Sequence, residues 1–120
     1  MEERLARLLT KHGALYGRAA GVRVVSAPGR VEIAGNHTDH NHGRVLAAAV
    51  DLDTVAAVSP REDDMVTLYS EGYERPFKLR LDHFEPVESE KGTSLALIRG
   101  VAAGMRARGY RVGGFDGAAE

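Results

Sequence analysis

Apolar residues recur along this chain with two different periods, and the change of period marks out its elements. Leu5, Leu8, Leu9, His12, Leu15 and Tyr16 fall at three- and four-residue steps with charges between them, which predicts an amphipathic helix over Glu2–Tyr16 ended by Gly17 and Gly21. A β-branched stretch follows at Val22, Val24 and Val25 and stops at Ala27-Pro28-Gly29, the pattern of a strand closed by a turn. Val31 and Ile33 then resume the alternation for one short strand. Val45–Val50 and Thr54–Val58 are apolar runs interrupted by Asp51 and Asp53, which fits two strands or one long bent one before Ser59-Pro60.

After a charged turn at Arg61–Asp64, Val66 and Leu68 alternate with polar residues. Phe77, Leu79 and Leu81 do the same beyond a second polar turn, as in a hairpin with one wet face. Asp82–Thr93 is polar, holds Pro86 and reads as a connection. Gly92-Thr93-Ser94 offers an N-cap to a second helix, in which Leu97, Val101, Ala102 and Met105 share one face. Arg99, Arg106 and Arg108 fall elsewhere on that helix, and Gly109 supplies the stop. Residues 113–120 look like a strand just starting, cut at its end, which predicts an unpaired sheet edge beside them. The expected class is α+β, a mostly antiparallel sheet with packed helices in one domain over residues 1–120.

Composition narrows the function. Sixteen Lys and Arg against seventeen Asp and Glu give a net charge of −1, without the basic footprint that phosphate backbones require, so nucleic acid is not an expected partner. A hydrophobic share of 43% and a charged share of 28% are those of a folding chain. No run is long and apolar enough to span a bilayer, and charges at Glu2, Glu3, Arg4, Arg7 and Lys11 interrupt the start, so no membrane partner is expected. The absence of cysteine excludes disulfides, thiolate metal sites and a cysteine nucleophile, and permits a cytoplasmic location, which is the expectation.

The segment Gly35–Gly43, GNHTDHNHG, is wholly polar and bracketed by glycines, so it reads as a loop and as the place for chemistry. Three readings of it stay open on residue types alone. Thr38, Asp39 and Asn41 can bond local backbone in a turn. Asn36, His37 and Asp39 can array donors and acceptors around a hydroxyl-rich ligand such as a monosaccharide. His37, Asp39, His40 and His42 can together ligate a borderline cation, although the segment lacks the helical spacing of the usual zinc signatures. Arg30, just before the loop, is a planar fork suited to phosphate or carboxylate, or simply a surface cation. No complete nucleotide-binding motif is present.

Taken together, Ala27-Pro28-Gly29-Arg30-Val31, Gly35-Asn36-His37-Thr38-Asp39-His40-Asn41 and Gly43-Arg44-Val45-Leu46 resemble the galactokinase signature of the GHMP small-molecule kinase superfamily. A fainter likeness continues through Thr54–Val58, Val66–Ser70 and the Leu97–Arg108 helix. The resemblance implies the N-terminal part of a ribosomal-protein-like domain. It also implies transfer of the γ-phosphoryl group of ATP, with Mg, to the anomeric hydroxyl of galactose.

By position, Arg30 would stabilise the transferring phosphoryl group, and Asn36, His37, Thr38 and Asp39 would hold the sugar. Ser70 falls near a position that touches nucleotide in some members, and no protein ligand to a resident metal is implied within this chain. Three positions depart from the family: Asn36 stands where glutamate is usual, His40 where tyrosine is, and Glu32 where asparagine is. The resemblance thus leaves galactose or a related hexose open. The family's Gly- and Ser-rich phosphate loop would begin just beyond Glu120, with the aspartate base further on, so the chain alone is expected not to catalyse and to need the remainder of the kinase as partner. The alternative is a non-catalytic sugar-binding or regulatory module.

Overall fold

The computed structural model describes residues 2–17, 20–35 and 42–120. Its elements run α1 (Glu2–Tyr16), β1 (Arg23–Ala34), β2 (Leu46–Pro60), β3 (Met65–Ser70), β4 (Phe77–Arg80), a 3₁₀ turn at Glu88–Glu90, α2 (Ser94–Ala107) and β5 (Phe115–Ala119). The strands form one sheet in the order β1-β2-β5-β3-β4. Three of the four pairings are antiparallel, and β3 with β5 is parallel. The expected α+β class with a mostly antiparallel sheet therefore holds.

Both helices end as their glycines predict: Gly17 at φ +76° and Gly109 at φ +86° adopt the left-handed conformation that closes a helix. The helices lie on opposite faces of the sheet. Leu8 of α1 packs with Val55, Ala57 and Ala118, whereas Ala102 of α2 packs with Val66, Leu79 and Leu81, joined by Phe115. Ala118 and Phe115 are three residues apart on β5, and alternation sends them to opposite sides. The small residues Gly117, Ala118 and Ala119 make β5 buried despite its modest apolarity.

Four expectations are corrected. Ala27-Pro28-Gly29 does not close a strand: β1 runs through it, with Pro28 opposite Asp53 and a register shift before Arg30. Proline is tolerated because β1 is an edge strand, and the shift absorbs its missing N–H. Residues 113–120 leave no open edge beside them. Phe115–Ala119 is an inner strand paired on both sides, and the sheet's outer strands are β1 and β4.

The third correction concerns α2. Leu97 and Val101 are 72% and 68% exposed, while Arg99 is 5% exposed. Arg99 is buried because it is fully partnered: its guanidinium donates to both Glu90 carboxylate oxygens at 2.8 Å and to the carbonyls of Arg80 and His83. Last, Thr93 stands at the N-cap but does not cap with its side chain, because its hydroxyl donates back to the Glu90 carbonyl at 2.6 Å. The two apolar runs around Asp51 and Asp53 form one continuous strand, β2, rather than two.

Candidate functional site

The polar loop springs from a long antiparallel hairpin. β1 and β2 pair from Arg23↔Val58 out to Ala34↔Leu46, with shifts of register between Pro28 and Arg30 and between Glu32 and Ala34. The root of this hairpin is bound to α1. Arg4 donates from Nη1 to Asp53 Oδ1 at 2.6 Å and from Nε to Glu120 Oε1 at 3.1 Å, and the Ser26 hydroxyl donates to the other Asp53 oxygen. Those bonds from Ser26 and Arg4 hold the Asp53 carboxyl below its ordinary range. Asp53 was legible in the sequence only as a break in an apolar run, since its partners lie 27 and 49 positions away.

At the tip, glycine is required by geometry. Gly35 sits at φ +90°, and a side chain there would collide with the Arg44 carbonyl oxygen and come within 2.9 Å of the Val45 Cα. The two limbs of the loop are therefore pinched together at its neck. His42, on the returning limb, is the non-glycine residue with positive φ (59°) among those described. The glycine bracket was visible in the sequence, whereas the left-handed His42 was not.

Of the sequence-predicted site residues, Arg30 lies on β1 opposite Ala49, four residues before the strand ends. Its side chain is 74% exposed and meets Glu32 only loosely, at 3.9 Å, so the guanidinium remains open to an anion from solvent. Asn36, His37, Thr38 and Asp39 lie outside the described residues, as does His40. Of the proposed metal set, His42 alone is described. No group of three or more His, Cys, Asp and Glu able to hold a metal occurs among the described residues.

Ser70 closes β3 opposite Ala119, whose other partner Ala56 faces Val25 of β1. Three strand spacings and five residues along β1 put the Ser70 and Arg30 backbones roughly 20 Å apart. β3 and β5 both run toward the loop-bearing end of the hairpin, so Ser70 ends its strand on that side of the sheet, separated from Arg30 by the width of β5 and β2.

The galactokinase galactose-binding signature matches residues 10–60, a span that takes in β1, the loop and β2. The fold agrees with it. The crystal structure of Lactococcus lactis galactokinase complexed with galactose superposes with a TM-score of 0.80 at 29% identity, covering 96% of this chain and 30% of that one. This chain matches the N-terminal region of galactokinases. A galactokinase of Chloroflexus aggregans is 38% identical over 94 residues, 78% of this chain. The Methanococcus jannaschii mevalonate kinase, at 13% identity and a TM-score of 0.60, shares the fold, that of the N-terminal domains of GHMP kinases. This galactokinase-like chain spans 24% of the Chloroflexus galactokinase.

Proposed function

We propose that this chain is the sugar-binding front portion of a galactokinase-like kinase. In the complete enzyme, the γ-phosphoryl group of ATP passes to the anomeric hydroxyl of galactose or a related hexose. The observation that carries this reading is the galactose-binding signature over residues 10–60, which contains both Arg30 and the whole polar loop.

Asp39 accepts hydrogen bonds from sugar hydroxyls, and Asn36, His37 and Thr38 donate or accept around it, so the sugar is held by several short directional bonds. That grip fixes the attacking hydroxyl, which is where much of the advantage of an enzymatic phosphoryl transfer arises. Arg30 is the exposed cation on the strand that leads into the loop, and its guanidinium suits the charge that spreads over a transferring phosphoryl group. Ser70, at the end of β3 and strands away from Arg30, is assigned a nucleotide contact rather than a sugar contact. ATP supplies the phosphoryl group and Mg neutralises its charge. The remaining part of the kinase provides most of their ligands and the general base, and the setting is the cytoplasm.

Asn36 replaces a charged acceptor with a group that also donates, so hexoses differing at the hydroxyl it faces are expected to be ranked differently than by a glutamate. The test pairs two assays on this chain. Galactose-dependent ADP formation is expected to be absent, because the base and phosphate ligands lie elsewhere. Calorimetry against a panel of hexoses is expected to show binding that Asp39→Ala removes. Sugar-dependent ATP turnover by this chain alone would overturn the reading.

A further inference from the structure

Arg30 and Glu32 stand two residues apart on β1, so strand alternation puts both side chains on one face of the sheet. They sit in a regular stretch between the two register shifts of the hairpin, Arg30 opposite Ala49 and Glu32 opposite Ala47. β2 therefore lays only methyl groups directly across from them and offers the guanidinium no polar side chain at either position. β1 is also an edge strand, with no neighbouring strand on its outer side. Among the described residues, the charged contact of Arg30 is Glu32, with Nη2 lying 3.9 Å from Glu32 Oε1.

Glu32 differs from its surroundings. It is the one residue of β1 that is partly buried, whereas Arg30, Val31 and Ile33 beside it are exposed. Its side chain is 28% exposed against 74% for Arg30, so the carboxylate is the more confined member of the pair. The direction of the contact also matters. Glu32 lies on the loop side of Arg30, three residues before Gly35, where the neck of the loop is pinched. Attraction to it draws the guanidinium along the strand toward the loop rather than out over the edge.

We propose that Glu32 is a positioning residue: its carboxylate is the resident counter-ion of Arg30, aiming the guanidinium at the loop and releasing it when a phosphoryl group arrives. The proposal rests on the galactokinase-like reading above, in which the phosphoryl group passes to a sugar held by that loop. A pair at 3.9 Å in contact with water is weak, so it orients a side chain without locking it. A phosphoryl group carries more charge and forms paired, short bonds to a planar guanidinium, so it displaces a single carboxylate oxygen at that distance. The same carboxylate repels a phosphate that meets Arg30 from solvent. The signature resemblance leads to asparagine at this position, and a neutral amide would neither attract the guanidinium by charge nor repel the anion. The counter-charge is thus a departure of this chain from the signature.

The test is made on this chain, isotopically labelled, at low ionic strength. Inorganic pyrophosphate is the probe, and the readout is the Arg30 Nε–Hε resonance, assigned by its disappearance in Arg30→Lys. Without pyrophosphate, Glu32→Gln should shift that resonance and lower its order parameter, because the guanidinium is released. Pyrophosphate should then move the resonance with an affinity at least about threefold tighter in Glu32→Gln than in the parent. Glu32→Asp keeps the charge but shortens the reach. It should release the guanidinium yet leave pyrophosphate affinity closer to the parental value than to that of Glu32→Gln, a split that a merely structural role would not produce.

An Arg30 resonance indifferent to Glu32→Gln would overturn the proposal. So would a pyrophosphate affinity that is unchanged or weaker in that variant, or that rises equally in Glu32→Asp. Pyrophosphate shifts that bypass Arg30, or no binding in any variant, also count against it. If Glu32→Gln does not give a dispersed amide spectrum, Glu32→Asn takes its place under the same criteria. Galactose has no part in these measurements. A chain that meets them yet binds no hexose would keep this inference and sink the functional reading, and a hexose-binding chain whose Arg30 ignores Glu32 would do the reverse.

Discussion

Replacing Gly35 by alanine should separate presentation of the loop from stability of the fold. At φ +90° an alanine carries a left-handed penalty of about 1–2 kcal/mol. At about 1.4 kcal/mol per tenfold, that penalty alone lowers the population of the parental loop geometry about 5- to 30-fold. The added methyl also collides with the Arg44 carbonyl and approaches the Val45 Cα to 2.9 Å, so the neck must open. Galactose affinity by calorimetry should therefore fall at least about tenfold. The neck lies beyond the last strand pair, Ala34↔Leu46, and touches neither apolar cluster, so thermal unfolding should move little. Gly72→Ala is the control. Its φ is +87° but a Cβ there meets nothing within 4 Å, so it carries the backbone penalty without the collision and away from the loop. Unchanged galactose affinity in Gly35→Ala would refute the argument that the pinched neck sets the loop.

The remaining predictions concern the scaffold. Leu8→Ala empties the centre of the α1 cluster, where Leu8 is fully buried, and should lower unfolding free energy in urea by about 2–5 kcal/mol. A loss within error would contradict the packing described. Gly114→Ala should lower the melting temperature clearly, because its methyl would meet the backbone of Asp63 and Met65, whereas Gly113→Ala, with open space at that position, should not. Bonds from Arg61 depress the Asp63 carboxyl from 3.8 to about 2. A carboxyl depressed in the folded state stabilises fully above its unfolded value and loses that contribution as pH falls through its folded value. Circular dichroism should therefore show acid unfolding developing between about pH 4 and 2, and Arg61→Ala should move its midpoint upward; no movement would count against this pairing.

Much of the scaffold was legible because periodicity and punctuation act locally. The helical period of Leu5, Leu8 and His12, the left-handed glycines 17 and 109, and the alternation around Val66 and Leu79 each report a preference of the nearby chain. What was not legible depends on partners remote in sequence. Arg99 reads as a surface charge until the fold brings Glu90 and the carbonyls of Arg80 and His83 around it. Leu97 and Val101 have the spacing of a buried face, yet among the described residues nothing covers them. The inner position of β5 between β2 and β3 is likewise a long-range choice that strand alternation does not encode. At the site, the glycine-bracketed loop and Arg30 were visible as residue types. The hairpin that carries them, and the Arg4–Asp53–Ser26 root that orients it, were not.

Titration of the isotopically labelled chain with galactose, followed by amide resonances in NMR, examines the sugar-binding claim most directly. The account predicts saturable shifts concentrated at residues 35–44 and at Arg30, with the opposite end of the sheet, at Met65 and Phe115, unmoved, and their loss in Asp39→Ala while the remaining spectrum stays folded. A well-dispersed spectrum that does not respond to galactose or to related hexoses, or that responds only at sites away from the β1–β2 hairpin, would contradict it.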